Sequence, residues 1–299
     1  MFNQDKVRLS IAPIAWTNDD LPELGGEIPF EQCVDEMAEA GYTGCEVGNK
    51  YPKDKDVLKA ELEKRGLQVS SAWFSSFFTD GKKEETIKDF TDWMNFLKYE
   101  GATAVNVCEC GSCIQGQQDI PILEDCKPVF TDEQWQALAE GLNEIGKIAK
   151  ENDMKVAYHY HMGTGVQNQD EIDRLMEMTD PEYVYLLLDT GHSHYAGADN
   201  LYLIDKYGDR IGNVHLKDIR DDVVAMIKAE KKCFLDGVKA GTFTIPGDGD
   251  VDFDPIFEGL ARLDYTGWFV VEAEQDPYKA NPLEYAKMAR AYIKEKTGL

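Results

Sequence analysis

Short apolar runs alternate along the chain with stretches that carry apolar residues at helical spacing, and this pattern predicts eight strands and eight helices. Glycines such as Gly41 and Gly66 end several of the predicted helices. The helix that starts at Thr131 opens with Thr-Asp-Glu-Gln, which resembles a capping box. The predicted strands cover residues 7–14, 44–47, 67–74, 103–108, 154–161, 183–189, 211–216 and 267–272.

This alternation, without a low-complexity linker, favours an α/β fold with a single (β/α)8 TIM barrel over residues 1–299. An open doubly wound sheet is the alternative. It is weaker because four strand ends carry the same kinds of polar side chain, and only a closed barrel brings all its strand ends around one opening. Two long connections, 109–130 and 218–251, are typical of functional lids or mobile segments.

Composition narrows the class of partner. The 56 acidic residues against 31 basic ones give a formal net charge of -25, which argues against a nucleic-acid partner. The sequence shows neither a signal-peptide pattern nor an apolar run near membrane-spanning length, so we expect a cytoplasmic protein with no membrane partner. Seven cysteines favour reduced thiols over a disulfide framework. We expect a small-molecule substrate, and homo-oligomerisation stays open.

Polar side chains with metal-binding chemistry follow four of the predicted strands. The apolar run 183–188 ends in Asp189, and other runs end in His159, His215 and Glu272. One ligand from each strand would give a divalent cation two imidazoles and two carboxylates, a mixture that favours Mn, Co, Fe or Zn over Ca or Mg. We predict a metal site formed by these four residues. All five histidines lie at these strand ends: His159, His161, His192, His194 and His215.

Alternate residues along a strand face the same side. His161, Lys217 and Glu274 are therefore expected to face the same opening as the predicted ligands two residues before them.

Three further residues are candidates for substrate contact. Trp16 and Trp73 follow or end predicted strands, where they either pack on the rim or form an apolar wall for a ring-shaped polyol. Glu46 interrupts the second predicted strand and is either a paired structural acid or an acceptor for substrate hydroxyls.

A group of cysteines offers a rival metal site. Cys108, Cys110, Cys113 and Cys126 form an imperfect zinc pattern, but one strand end and its loop must then supply all four thiolates. Free thiols are the better interpretation.

Several segments carry a family resemblance. Asp-Thr-Gly-His at 189–192, Val-His-Leu-Lys-Asp at 214–218 and Val-Val-Glu at 270–272 are similar to the xylose-isomerase-like TIM-barrel superfamily. Within it, four segments resemble the inosose dehydratase family: 11–27, 47–52, 158–167 and 271–277.

The resemblance implies a metal-dependent dehydration of 2-keto-myo-inositol (scyllo-inosose) to a trihydroxycyclohexane-1,2-dione in myo-inositol catabolism. It also implies Mn or Co as the metal and glutathione as a further requirement. Asp189, His215 and Glu272 match ligand positions of the superfamily directly. His159 stands where the isomerases have a glutamate, so the choice between His159 and His161 stays open.

The expected mechanism is proton loss next to a carbonyl held by the metal, giving a metal-stabilised enolate from which the β-hydroxyl departs. We assign His161 as base or its relay, Lys217 to stabilise the enolate or protonate the leaving hydroxyl, and His192 to orient the substrate. Substrate contacts are expected from Trp16, Glu46, Trp73, His192 and Glu274.

Three other functions compete with this hypothesis. A sugar or inosose isomerase or epimerase would use the same metal site and the same enolate. Phosphodiester cleavage like that of endonuclease IV conflicts with the acidic net charge. A polyol-binding module without activity would be favoured if metal ligands were missing, and the sequence supplies all four.

Overall fold

Nine parallel strands form the central sheet of the computed structural model, which describes residues 1–299. A separate pair of short antiparallel strands, β9 and β10, lies outside this sheet. The strands are β1 (Val7–Ile11), β2 (Gly44–Glu46), β3 (Gln68–Ser71), β4 (Trp73–Ser76), β5 (Ala104–Glu109), β6 (Lys155–Tyr158), β7 (Val184–Asp189), β8 (Ile211–Leu216), β9 (Asp218–Ile219), β10 (Phe243–Thr244) and β11 (Gly267–Val271).

The sheet closes through one interrupted strand. The strand order is β3-β2-β1-β11-β8-β7-β6-β5-β4, so β3 and β4 lie at its two ends. These two are consecutive in sequence and are separated only by Ala72, whose carbonyl accepts a hydrogen bond from the Asn106 N–H at 2.9 Å. Because β3 pairs with β2 and β4 with β5, the segment closes a barrel of eight staves. The predicted TIM barrel is confirmed, whereas the single-domain assignment stays a prediction.

Helices surround the barrel and bury one apolar face each. The capping box at Thr131 is present, because its hydroxyl accepts from the Gln134 N–H and the Gln134 side chain accepts from the Thr131 N–H. No helix combines the length and the apolarity needed to cross a membrane. The helices are α1 (Phe30–Glu39), α2 (Lys55–Glu63), α3 (Lys83–Tyr99), α4 (Asp132–Glu151), α5 (Gln169–Met178), α6 (Thr190–Ala196), α7 (Asn200–Tyr207), α8 (Asp221–Ala229), α9 (Phe234–Ala240), α10 (Phe253–Arg262) and α11 (Pro282–Thr297).

The fifth predicted strand is shorter than expected. β6 ends at Tyr158, although the His159 N–H still donates to the Val107 carbonyl at 2.8 Å. The His161 N–H instead donates to the Val166 carbonyl at 3.2 Å, within the same connection. His161 therefore belongs to a turn, and its position does not follow from strand alternation.

The long connection after β8 is a folded unit. It contains β9, α8, α9 and β10, and it buries Phe234 and Phe243 near the imidazoles of the barrel opening. Asp218, at the start of the connection, is a fully buried carboxylate that accepts four backbone hydrogen bonds of 2.8–3.0 Å and so holds the end of the connection in place. Two of these come from Gly247 and Gly249. This anchoring favours a packed excursion over a mobile lid.

We predict that Asp218→Asn lowers the free energy of unfolding by about 2–4 kcal/mol, because an amide can accept at only one of the two oxygen positions and leaves buried N–H groups without partners. Urea unfolding at neutral pH measures the change. Asp209→Asn is the matched control, since Asp209 is exposed and makes no hydrogen bond. Equal stability of the two variants would contradict the anchoring role.

Candidate metal centre and active site

Four polar side chains meet at the C-terminal end of the barrel, one from each of four strands. Asp189 closes β7 and His215 lies in β8, while His159 and Glu272 directly follow β6 and β11. One nitrogen or oxygen atom of each lies within 4.8 Å of the others, and all four side chains are buried. The structure brings together the four residues predicted as metal ligands, with His159 rather than His161 among them. We call His159, Asp189, His215 and Glu272 the metal-type group.

Two of the three separations between donor atoms given below are close to those around a small divalent cation, and the third is a hydrogen-bond contact. His159 Nε2 lies 3.2 Å from Asp189 Oδ2, and His215 Nδ1 lies 2.6 Å from Glu272 Oε2 and 3.5 Å from Asp189 Oδ2. A tetrahedral ion with ligand bonds of about 2.1 Å needs donors about 3.4 Å apart. Two imidazole nitrogens with two carboxylate oxygens suit a transition metal better than Ca or Mg.

Asp189 divides its two carboxylate oxygens between the fold and the site. Oδ1 accepts from the N–H groups of Gly191 and His192 at 2.9 and 2.8 Å, and so caps α6. The Tyr160 hydroxyl donates to the Asp189 carbonyl and accepts from its N–H, both at 2.9 Å. Oδ2 is left facing His159 and His215. The Asp-Thr-Gly-His segment thus positions one free oxygen at the strand end.

Glu46 orients His215 from the side away from the other ligands. His215 Nε2–H donates to Glu46 Oε1 at 3.0 Å, so Nδ1 is the ring nitrogen that faces the other three ligands and would bind a metal once deprotonated. Ser71 and Asn106 also donate to Glu46 Oε1, both at 2.7 Å. Burial lowers the pKa of His215, but Glu46 and Glu272 outweigh burial and raise that pKa well above its usual value. Glu46 is therefore a paired acid, and because it also lines the cavity described below, its contact with substrate hydroxyls stays a prediction.

A buried lysine adds positive charge beside the two carboxylates. Lys217 is fully buried, and its Nζ lies 3.2 Å from Glu272 Oε2 and 3.6 Å from Asp189 Oδ2. Burial raises the pKa of each carboxyl, but Lys217 outweighs it, together with neighbouring imidazoles. The pKa of Asp189 is held well below its usual value, and that of Glu272 falls to about 2. Both groups are ionised at neutral pH.

Burial keeps three imidazoles neutral. It lowers the pKa of His159 and of His192, and it lowers the pKa of His161 to about 3, with His159 adding to the effect. His161 Nδ1 lies 2.9 Å from the Met162 carbonyl and donates to it. His161 Nε2 is then the basic nitrogen of the ring.

A cavity of about 400 Å³ opens next to the metal-type group. Trp73 stands edge-on to His159 and His161, with ring centroids 5.3 and 5.6 Å apart. Larger cavities lie at the opposite end of the barrel, but the residues with metal-binding chemistry adjoin this one. The predicted site residues that line it are Glu46, Trp73, His161, His215, Glu272 and Glu274.

Besides the ligands His159 and Asp189, three predicted residues do not line this cavity. Trp16 is fully buried in the core and donates through Nε1 to Glu36 Oε2 at 2.6 Å, because a short 3-10 helix at Pro13–Ala15 turns the chain after β1. The structure thus favours packing over a substrate wall for Trp16. Lys217 and His192 lie behind the ligands, where His192 Nε2 accepts from Lys217 Nζ at 2.8 Å. No cysteine belongs to the metal-type group, and all seven are free thiols.

Comparison with known proteins decides the family. The family model described as xylose isomerase-like TIM barrel matches residues 34–296. Curated proteins named inosose dehydratase from Clostridium tetani (strain Massachusetts / E88) and Geobacillus thermodenitrificans (strain NG80-2) are 58% and 56% identical over 299 residues, and each comparison covers 100% of both chains. The chain belongs to the inosose dehydratase family.

Membership of the inosose dehydratase family confirms the prediction of an enzyme of the hydro-lyase class. A solved structure agrees with the fold. The crystal structure of the IOLI protein with a binding zinc atom has a TM-score of 0.73 at 17% identity, covering 97% of this chain and 98% of that one.

The cavity of this inosose dehydratase family member has lining residues that the sequence analysis missed. Asn106 was detectable, since it interrupts the apolar strand β5 as Glu46 interrupts β2. Six more polar or aromatic residues of the lining are on loops or on a helix face, where no pattern distinguishes them from solvated residues: Asp19, Asp20, Asn49, Lys53, Trp93 and Gln115.

We predict that Glu46→Gln weakens binding of a divalent transition metal about tenfold, because the imidazole of His215 loses its charged partner. Isothermal titration of the metal-free protein with Mn²⁺ or Co²⁺ measures the affinity.

Glu274→Gln is the matched control, since Glu274 lines the same cavity but makes no contact with His215. A folded Glu46→Gln protein with unchanged metal affinity would show that the contact does not orient the ligand.

Proposed function

We propose that this chain dehydrates 2-keto-myo-inositol (scyllo-inosose) to a trihydroxycyclohexane-1,2-dione, using one divalent transition metal. The observation that carries the proposal is the buried group of two imidazoles and two carboxylates beside a substrate-sized cavity, in a chain 58% identical to a protein named inosose dehydratase. Mn or Co as the metal, a glutathione requirement, a cytoplasmic location and a role in myo-inositol catabolism are proposed from the family resemblance.

The charge of the cavity supports a neutral polyol as substrate. Lys53 is the one cationic lysine or arginine side chain in its lining. A phosphorylated sugar would bring additional negative charge toward a lining with more acidic than basic side chains, which costs binding energy. The acidic lining residues are Asp19, Asp20, Glu46, Glu272 and Glu274.

His159, Asp189, His215 and Glu272 would hold the metal. When bound, a divalent cation supplies Lewis-acid polarisation of the substrate carbonyl, which makes the neighbouring carbon more acidic.

The chain's own residues supply the proton transfers and the orientation. His161 lines the cavity with a neutral ring, so its Nε2 is free to accept the proton from the carbon next to the carbonyl. Because its pKa of about 3 makes this imidazole a weak base, the transfer depends on strong acidification of that carbon.

Lys217 stabilises negative charge from behind Asp189 and Glu272. Its alternative role, protonating the leaving hydroxyl, would need a relay, because Lys217 does not line the cavity. Trp73 offers an apolar face to the ring. Burial raises the pKa of Glu274 to about 8, so its carboxyl can either donate hydrogen bonds to the substrate hydroxyls or accept them. His192 acts through Lys217.

An isomerase or epimerase would share the proton abstraction and differ only in the fate of the β-hydroxyl. The relatives at 58% and 56% identity are both named as dehydratases, and this favours elimination.

We expect the protein with Mn²⁺ to convert scyllo-inosose to a product with the ultraviolet absorbance of a conjugated dione or its enol. Asp189→Asn should lower the rate at least about a hundredfold and reduce metal occupancy, because it removes one charged ligand. A spectrophotometric assay measures the rate, and elemental analysis measures the metal occupancy. Asp209→Asn serves as the control of equal charge change.

The result also separates the alternatives. Exchange of the α-proton with solvent deuterium without a chromophore would move the protein to the isomerase class. Absence of both signals in the metal-loaded protein would remove the enzymatic proposal for this substrate.

We expect the site to discriminate by charge. As competitive inhibitors, myo-inositol should bind at least about tenfold more tightly than myo-inositol 1-phosphate, because the phosphate meets the acidic lining. Inhibition constants at fixed ionic strength test this. Asp20→Asn should reduce the ratio of the two inhibition constants, because it removes one acid from the lining. Tighter binding of the phosphate would contradict a neutral substrate.

A further inference from the structure

The opposite, N-terminal end of the barrel holds a second polar cavity. Its volume is about 640 Å³, and the first residues of several staves line it. Arg8 of β1 and Trp268 of β11 are paired in register there, and Lys155 begins β6 on the other side. The metal-type group lies at the far end of the same strands. This cavity is therefore separate from the site described above.

Two cations of this cavity have no carboxylate partner. Lys6 and Lys150, which also line it, form ion pairs with Asp264 and Glu182. Arg8 bonds only the neutral side chain of Gln68, at 2.9 Å.

Lys155 lies 4.9 Å from the centre of the Tyr185 ring and makes no ion pair. Partial burial lowers the pKa of Lys155, which is half-buried, and that of Arg8, although much of the Arg8 side chain stays exposed. The two carboxylates of the lining, Asp5 and Asp153, are exposed and bond neither cation. Uncompensated positive charge is unusual in a chain of net charge -25.

A buried hydrogen-bond donor points to the same ligand chemistry. Trp268 is 3% exposed, and its indole N–H has no acceptor. A buried donor without an acceptor costs free energy, so a site that leaves one unsatisfied favours a ligand with lone pairs. The Arg8 guanidinium stacks 3.9 Å above the Trp268 ring. This stacking keeps the N–H donors of the guanidinium beside the indole.

We propose that this N-terminal cavity binds a small oxyanion, a phosphate or a carboxylate, through Arg8, Lys155 and the indole N–H of Trp268. Planar guanidinium groups bind both kinds of anion through paired hydrogen bonds. Lys155 adds a point charge. The cavity has room for more than one oxyanion group, so dianions are expected to bind more tightly than chloride or nitrate.

Thermal unfolding with added sodium phosphate or sodium malonate, each against sodium chloride at equal ionic strength, tests the proposal. At about ten times the dissociation constant, a bound oxyanion should raise Tm by about 2–4 °C beyond the chloride control. Isothermal titration should give one site per chain. A shift with phosphate alone identifies a phosphate site and a shift with malonate a carboxylate site, and either supports the proposal.

Three variants locate the binding. Arg8→Gln and Lys155→Gln should each lose most of the shift, and Trp268→Phe should reduce it, because phenylalanine keeps an aromatic ring under Arg8 but has no N–H. Each shift is measured relative to the same variant in chloride, so altered basal stability does not confuse the result. Lys88→Gln, an exposed lysine on α3 paired with Asp92, is the control of equal charge change and should keep the full shift.

The proposal is overturned if neither anion exceeds chloride. It is equally overturned if the shift is the same in Arg8→Gln, Lys155→Gln and Lys88→Gln. Neither thermal unfolding nor isothermal titration with these anions depends on scyllo-inosose turnover, so the test is independent of the proposed function.

Discussion

Burial of ionised carboxylates is the constraint on which the catalytic end of the barrel depends. Asp189 is fully buried and Glu272 is 9% exposed, and removing such charges from water is costly unless positive charge and hydrogen bonds replace the solvent. Lys217 provides one charge, and the cap of α6 uses one oxygen of Asp189. The remaining lone pairs converge on a point where a divalent cation would complete the compensation.

The same constraint explains the polar layer beneath the ligands. TIM-barrel interiors are mostly filled by branched apolar residues, but here Asn213 donates across the barrel to both Ser71 and Asn106. Ser71 and Asn106 in turn donate to Glu46. Each of these groups is buried and would be costly alone. Together they hold Glu46 against His215, so the orientation of one ligand depends on residues from three other strands.

The sequence predicted what depends on local pattern. Apolar runs that end in Asp189, His215 and Glu272 identify strand ends, and barrel closure then brings those ends together regardless of the separation in sequence. Glu46 was visible as an acid inside an apolar strand, but its partner His215 lies 169 residues away, and no local pattern specifies that pairing. Trp16 was assigned to the substrate because an aromatic residue after a strand has the same pattern whether it faces a ligand or the core. Only the turn at Pro13–Ala15 distinguishes the two.

The acidic lining of the catalytic opening also has a kinetic consequence. A field of one sign attracts cations from a distance of about a Debye length, roughly 8–10 Å at physiological salt. Capture of a divalent ion by the metal-free protein would then slow as salt is added, whereas a neutral polyol would arrive at the same rate in dilute and concentrated buffer. The rate of metal binding therefore depends on the salt concentration, because the metal ion carries charge. The rate of substrate binding does not, because the polyol is neutral.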